Sequence, residues 1–446
     1  MSSTDSLGNA VTLDDASALP ALNDFVDGFI ASEARAVNIL GAAQADHSPL
    51  VQACAAAVHM FAESREAPAN ARPFIARARA ASARATSREQ RFIEAVAAWA
   101  DGDIDRAIAL HDEQARLHPR DLVSLKLGHY HLFNRGDSPG MLRMGLQALP
   151  AAADVPYLHG MLAFAWEQCH ALEQAEASAR QAITMRRKEP WAHHALAHVM
   201  LTQGRLHEGH AFLADVSETW TGLNSFMLTH NWWHQALFAL ELGLDDAVLA
   251  LYDERVWGVA KDYTQDQINA VSLLARLELA GVDVGGRWSE LANWLAARTA
   301  DQTLPFLDLQ YLYGLARAGR PEADLLMRNI EARANDTGAP LHGAWQRVAL
   351  PASRGLLAHA RGDWPRAAEQ LGHALPGMTQ IGGSHAQRDL FDQIHLDALI
   401  RSDHLAGAQH LLAQRCRSQP ESARLRRQAG ALYAALGLGK VASSFF

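Results

Sequence analysis

Histidine is the residue type whose number and spacing point to chemistry: 22 of 446 residues are His, against 40 Lys plus Arg. In PWAHHALAHVM, His194 and His198 are four apart; in SFMLTHNWWHQALFALELG, His230 and His234 are again four apart, 36 residues beyond the first pair. On a helix, residues i and i+4 lie one above the other on one face, so each pair can aim two imidazoles at one point. Four imidazoles from neighbouring helices would make an all-nitrogen site suited to zinc, iron or copper. A side chain that titrates near neutral pH equally suits acid–base catalysis or hydrogen bonding to a ligand. Trp191 shares the face of the first pair, while Leu196, Ala197 and Met200 occupy the packing face. The plainer alternative is that these rings, with Trp232 and Trp233, are packing residues with satisfied ring nitrogens. Neither pair has the HExxH form, and HEGH at His207 to His210 has another spacing.

A second constellation is TQIGGSHAQRDLF. Ser384 and Gln387, three apart, form a capping-box pattern that defines a helix start after Gly382-Gly383. Backbone N–H groups there, with His385 and Arg388 in the first turn, would suit a carboxylate or phosphate. Asp389 and Asp392 stand four residues after His385 and Arg388, a spacing that would orient them or serve as ordinary support within the helix. In a weaker set, Tyr252, Asp253, Asp262, Asp266, Ser272 and Arg276, the spacing could bring Asp266 and Arg276 together near one face, but the plainer reading is a solvated helix surface. There is no glycine-rich phosphate loop, GxSxG elbow or DxDxDG calcium loop.

Helices must position these groups. Ala and Leu dominate, glycines are single punctuation marks, and alternating β-branched runs are nearly absent. Leu162-Ala163 and Ala175 overlay Leu196-Ala197 and Gly209 at a separation of 34 residues, the tetratricopeptide period. The motif's small residue between two helices, its Gly/Asp turn and its closing Pro recur in GDIDRA (Gly102 to Ala107, Pro119), in RGDWPRA (Arg361 to Ala367, then Ala374 and Pro376), and in Ala408, Leu412 and Pro420. Each hairpin leaves an apolar face that only a neighbour can cover, so stacking supplies the core. By the repeat, both histidine pairs fall on first helices, facing the concave side where such arrays hold ligands. Counting from Gly204 and Gly243 sets the second pair about one turn out of level with the first. ARPFIARARAASARATS reads as helix or connection, the stretch from Val282 to Pro305 has no repeat of its own, and Gly338 to Pro340 marks a loop.

Composition narrows the classes. Apolar residues make up 49% and charged residues 20%, which supports a large core. The net charge of -9, with both signs interspersed, offers no stripe for a nucleic-acid backbone. Three scattered cysteines, Cys54, Cys169 and Cys416, support neither a disulfide framework nor a thiolate zinc site and fit a reducing cytoplasm. The polar, acidic start lacks the features of a signal peptide, and no apolar run reaches the roughly 20 residues of a membrane span.

The segments WAHHALAHVMLTQGRLHEGHAFL, HNWWHQALFALELG, LYDERVW, SLLARLELAGVDVGGRW and IGGSHAQRDLF, between about residues 20 and 430, resemble the tetratricopeptide repeat protein 38 family. The resemblance implies a helical-repeat fold in a cytoplasmic protein and names no reaction. It singles out His194, His198, His230, Asn231, Trp232, Trp233, His234, His385, Gln387, Arg388 and Asp389, where a plain scaffold would need only Leu, Ala and Gly. One string departs from the family pattern: LPFLDLQYLYG has Phe306 and Asp308 but no following histidine.

The expected fold is therefore all-α, a right-handed solenoid of tetratricopeptide-like hairpins able to curl around a pocket. The expected parts are an N-terminal helical cap (1–85), repeats with His-rich inner helices (86–280), and C-terminal repeats with the GGSHAQRD helix start (281–446). One functional expectation is a pocket that binds, and acts on, a small anionic or polar molecule. Its acid–base groups would be His194, His198, His230, His234, His385 and Asp389, and its ligand contacts Trp191, Asn231, Trp232, Trp233, Ser384, Gln387 and Arg388. The four paired histidines would hold the transition metal, zinc or iron, if one is bound. The other expectation is a scaffold that holds a peptide or protein in its concave groove without catalysis. Neither needs nucleic acid or membrane, and the residues leave open whether the chain is an enzyme.

Overall fold

The computed structural model describes residues 3–445, and most of them are helical. The 34-residue period is drawn in the elements: Pro156–Gln168 and Leu172–Met185 are followed by Pro190–Thr202 and Leu206–Val216, each starting 34 residues after its counterpart. Pro stands at or next to the first helical position of Pro156–Gln168 and Pro305–Arg317, where its missing N–H costs nothing. Asp103, Asp121, Asp137 and Asp363 cap the helices that follow them by accepting a backbone N–H. The motif's small residues Ala107, Ala175, Ala367 and Ala408 are fully buried, as contact between antiparallel helices requires. The all-α, hairpin-paired architecture read from the sequence is thus the observed one.

Several details differ or are added. A short antiparallel ladder pairs Ser3–Thr4 with Ala10–Val11, although no strand was expected. The Ala/Arg-rich stretch forms the helix Ala67–Ala80 and then a 3-10 turn, Ser82–Arg84. The stretch without a repeat contains the helix Arg287–Leu295, whose Trp288 and Leu291 are buried. Residues 338–340 lie in turn structure, as expected. Among the described residues no helix is long and apolar enough to cross a membrane.

The chain divides into two compact units. One comprises Met1–Leu196 with Glu218–Leu228, the other Ala197–Ser217 with Thr229–Phe446. In the first, the ladder's second strand is held by buried charge: Arg88 bonds Asp121 at 2.8 Å and the Ala10 carbonyl at 3.0 Å. Lys126 reaches the end of the Leu19–Ile30 helix and donates to the Phe29 and Ile30 carbonyls at 2.8 and 3.2 Å.

In the second unit a large core gathers Trp233, Tyr252, Trp257, Trp288, Tyr311, Trp345 and Phe391. The unit's last hairpin, Leu405–Ser418 and Ala423–Ala435, docks on its first helices. Gln419 donates to the Leu201 carbonyl at 3.0 Å, Ser422 bonds Glu241, and Arg424 holds Glu241 with contacts of 2.7 and 3.0 Å.

Candidate metal centre

The helix Pro190–Thr202 carries His194 and His198, and the helix Ser225–Glu241 carries His230 and His234. His198, His230 and His234 belong to the second unit, and His194 lies one turn before His198 on the same unbroken helix. Each of the four rings offers a nitrogen, and these nitrogens all lie within 4.8 Å of one another. Ring centroids are 4.5 Å apart for His198 and His234 and 4.9 Å for His230 and His234. The one-turn offset counted from the turn glycines therefore does not separate the pairs.

The setting differs from an open groove. All four rings are at most 2% exposed, because the first helix is buried around nearly its whole circumference and the second through Thr229, His230, Asn231 and Trp233. Burial drives the His230 pKa down to about 3, against a weaker opposing pull from Asn269, so its ring is neutral. A neutral imidazole is the metal-ligating form. The Nδ1 of His230 lies 3.0 Å from Asn269 Oδ1, and one face of the ring stacks on Trp233 at 5.1 Å and 10°.

The donor set fits a transition ion. A tetrahedral zinc with nitrogen bonds of 2.0–2.1 Å holds its ligand atoms about 3.3 Å apart. Donors spread over at most 4.8 Å would close on such an ion by shifts of about 1 Å or less. An all-imidazole set excludes the oxygen-seeking Mg2+ and Ca2+.

The remaining candidates take several places. Trp191 packs against Phe164 at 5.1 Å and against His194 at 4.9 Å. Adjacent tryptophans part ways: Trp233 is fully buried beside the histidines, whereas Trp232 is half-buried beneath the Arg255 guanidinium at 5.2 Å. Asn231 is buried on the same helix. His207 is exposed and His210 half-buried, and neither joins the four.

The capped helix His385–Arg401 begins as its sequence indicates: Ser384 accepts from the Gln387 N–H, and the Gln387 side chain accepts from the Ser384 N–H. Ser384 is buried, and His385 and Arg388 are half-exposed in the first turn. Arg388 donates to the Gly383 carbonyl and lies 3.4 Å from His385 Nδ1. Asp389 binds Arg415 at 2.6 Å and Gln393 at 2.6 Å, rather than His385. Burial pushes the Asp389 carboxyl up, but Arg415 and Arg276 outweigh it and hold the group well below the usual carboxylate range.

The set read as a solvated surface is corrected in part: Asp253 and Asp262 are exposed, but Tyr252, Asp266, Ser272 and Arg276 are buried. Nearly every residue from Thr264 to Leu277 is buried, including Asp266, Asn269, Ser272 and Arg276. Asp266 and Arg276 sit too far apart along one helix to meet. Asp266 accepts from Thr229 at 3.0 Å, while Arg276 spans the unit's interior. The Arg276 guanidinium stands over the Trp233 ring at 5.3 Å, donates to the Ala386 carbonyl at 2.6 Å and lies 4.0 Å from Asp389. Burial lowers its pKa to about 10, which leaves it charged at neutral pH. Trp233 and Arg276 thus join the histidine helix to the capped helix. Asp308, in the string that departs from the family pattern, is fully buried, and burial raises its pKa to about 8.

No family model matches the chain. Among solved structures, it is similar to human IFIT1 in a dimer with m7Gppp-AAAA, with 12% identity, a TM-score of 0.43, and 98% of this chain and 94% of the other covered. It is also similar to an IFIT1 monomeric mutant with Gppp-AAAA, with 12% identity, a TM-score of 0.40 and 89% of each chain covered. The P58(IPK) TPR domain matches with 10% identity and a TM-score of 0.23, over 81% of this chain and 91% of that one.

Proposed function

We propose that this chain is a metal-binding helical-repeat protein in which His194, His198, His230 and His234 hold one divalent transition ion, zinc or iron, beside a site for a small polar or anionic molecule. The observation that carries the reading is the convergence of four buried imidazoles from two successive repeat helices, with donor atoms within 4.8 Å of one another. The neutral state of His230 supports ligation over proton transfer at that ring. Four imidazoles would complete the shell of a tetrahedral zinc, whereas iron would keep coordination positions for a substrate. Bound there, such an ion would supply Lewis-acid polarisation.

The anionic end of the molecule would be held at the capped helix start by Arg388, with Ser384, Gln387 and His385 around it. Asp389 would orient that turn through Arg415. The link from Trp233 through Arg276 to Ala386 supports treating the two regions as parts of one site. The HNWWH and GGSHAQRD strings support membership of the tetratricopeptide repeat protein 38 family. Three free cysteines support a cytoplasmic setting.

The test is elemental analysis of the full chain purified without an affinity tag, before and after anaerobic incubation with Zn2+ or Fe2+. One equivalent of metal per chain is expected. His198→Ala and His234→Ala should lose it with an unchanged far-UV circular dichroism spectrum. A wild-type protein that takes up no metal, or two variants that keep it, would refute the proposal.

A further inference from the structure

The second histidine helix and the helix Thr264–Leu279 are joined by a chain of buried polar groups. Asp266 and Asn269, three residues apart, face Thr229 and His230 across the contact. Thr229, Asp266 and Asn269 are each at most 2% exposed, so none of these bonds competes with bulk solvent. The Thr229 hydroxyl lies 3.0 Å from Asp266 Oδ1, Asn269 Nδ2 lies 3.4 Å from the Thr229 hydroxyl, and His230 Nδ1 lies 3.0 Å from Asn269 Oδ1.

The direction of each bond follows from the carboxylate end. An ionised Asp266 only accepts, and its second oxygen takes the Ala260 N–H at 3.3 Å. Thr229 donates its hydroxyl proton to Asp266, and its oxygen accepts the amide N–H of Asn269. That fixes the Asn269 amide with its oxygen towards His230. An amide oxygen has no proton to give, so His230 must donate Nδ1–H. Nε2 is then the ring nitrogen left to offer a lone pair.

We propose that Asn269, Thr229 and Asp266 are positioning residues that lock His230 as the Nδ1–H tautomer and present its Nε2 to the metal ion. The purpose of the relay rests on the metal-binding reading above, but its proton arrangement does not. Metal-ligating histidines gain basicity and a fixed ring orientation from such an acceptor, and its loss weakens binding about 10–100-fold.

The experiment uses metal-free full chain with 15N-labelled histidine, read by two-bond 1H–15N correlation, with the His230 signals assigned by their loss in His230→Gln. His230 is expected as Nδ1–H in the wild type. It should revert to Nε2–H in Asn269→Leu and return to Nδ1–H in Asn269→Asp, which restores an acceptor. Chelator competition with Co2+ should show affinity about 10–100-fold weaker in Asn269→Leu and recovered in Asn269→Asp. An Nε2–H signal for His230 in the metal-free wild type overturns the inference and needs no variant to fold. Equal Co2+ affinity for wild type and Asn269→Leu overturns the positioning role. A wild type that binds no Co2+ but shows Nδ1–H overturns the metal reading and upholds the proton arrangement.

Discussion

Three glycine-to-alanine substitutions in the second unit separate two costs that meet at the start of the capped helix. Gly281 has a φ of +86° and open space where a Cβ would stand, so Ala there costs only the left-handed backbone, about 1–2 kcal/mol. Gly209 occupies the repeat's small-residue position on a regular helix, but a Cβ would clash with the Phe238 ring. That overpacking costs about 1–3 kcal/mol, offset by about 1 kcal/mol of better helix propensity. Gly383 combines both: its φ is +78° and a Cβ would lie 2.7 Å from Phe306. Gly383→Ala should therefore cost about 2–5 kcal/mol, more than either reference substitution. Urea unfolding of each full-length variant, followed by tryptophan fluorescence and circular dichroism, measures the differences. Adding Phe306→Ala should remove the steric part, so the double mutant should be more stable than the sum of the singles by about 1–3 kcal/mol. If Gly383→Ala costs no more than Gly281→Ala, or shows no coupling to Phe306, the close packing at the helix start is refuted.

Acid should weaken the first unit through its buried histidines. Burial lowers the pKa of His111 and His129 to about 4, so both are neutral when folded and bind a proton when unfolded below about 6.5. Their contribution is fully present above pH 6.5 and is lost as pH falls towards 4, about 2 kcal/mol each by pH 5. His129→Gln should accordingly lose about 2 kcal/mol less than wild type between pH 7 and pH 5 in urea titrations, and an equal loss would contradict the assignment. Glu241→Gln leaves the Arg424 guanidinium buried without its counter-charge, at a cost of about 3–5 kcal/mol. Limited proteolysis should then cut near residues 418–423, and protection equal to wild type would count against this anchor.

The hairpin architecture was legible because its determinants are local and repetitive. The 34-residue spacing, the Asp caps and the fully buried alanines can each be read from a short string. The histidine pairs were legible for the same reason, since i, i+4 spacing fixes a shared face. Their enclosure was not, because periodicity reports which residues share a face but not what later covers it. Asp266 and Arg276 were misread on the same ground. Their helix looks half polar, yet its polar side meets Thr229, Trp233 and Ala386, contributed by segments up to 110 residues away. Asn269 and Thr229 left one faint signal, hydrogen-bonding side chains at buried positions next to a histidine, which acquires meaning only once the two helices face each other.

The return of the last hairpin onto Leu201 and Glu241 has a consequence for how this chain can vary. An open repeat protein can gain or lose a unit at its end and remain folded, because each unit touches only its neighbours. Here an added or deleted hairpin between Glu241 and Arg424 would shift one partner of a fixed ion pair by the thickness of a repeat, so the number of hairpins is set by closure. Length changes should be confined to turns and termini, and the imidazole cluster inherits a frame whose size cannot drift.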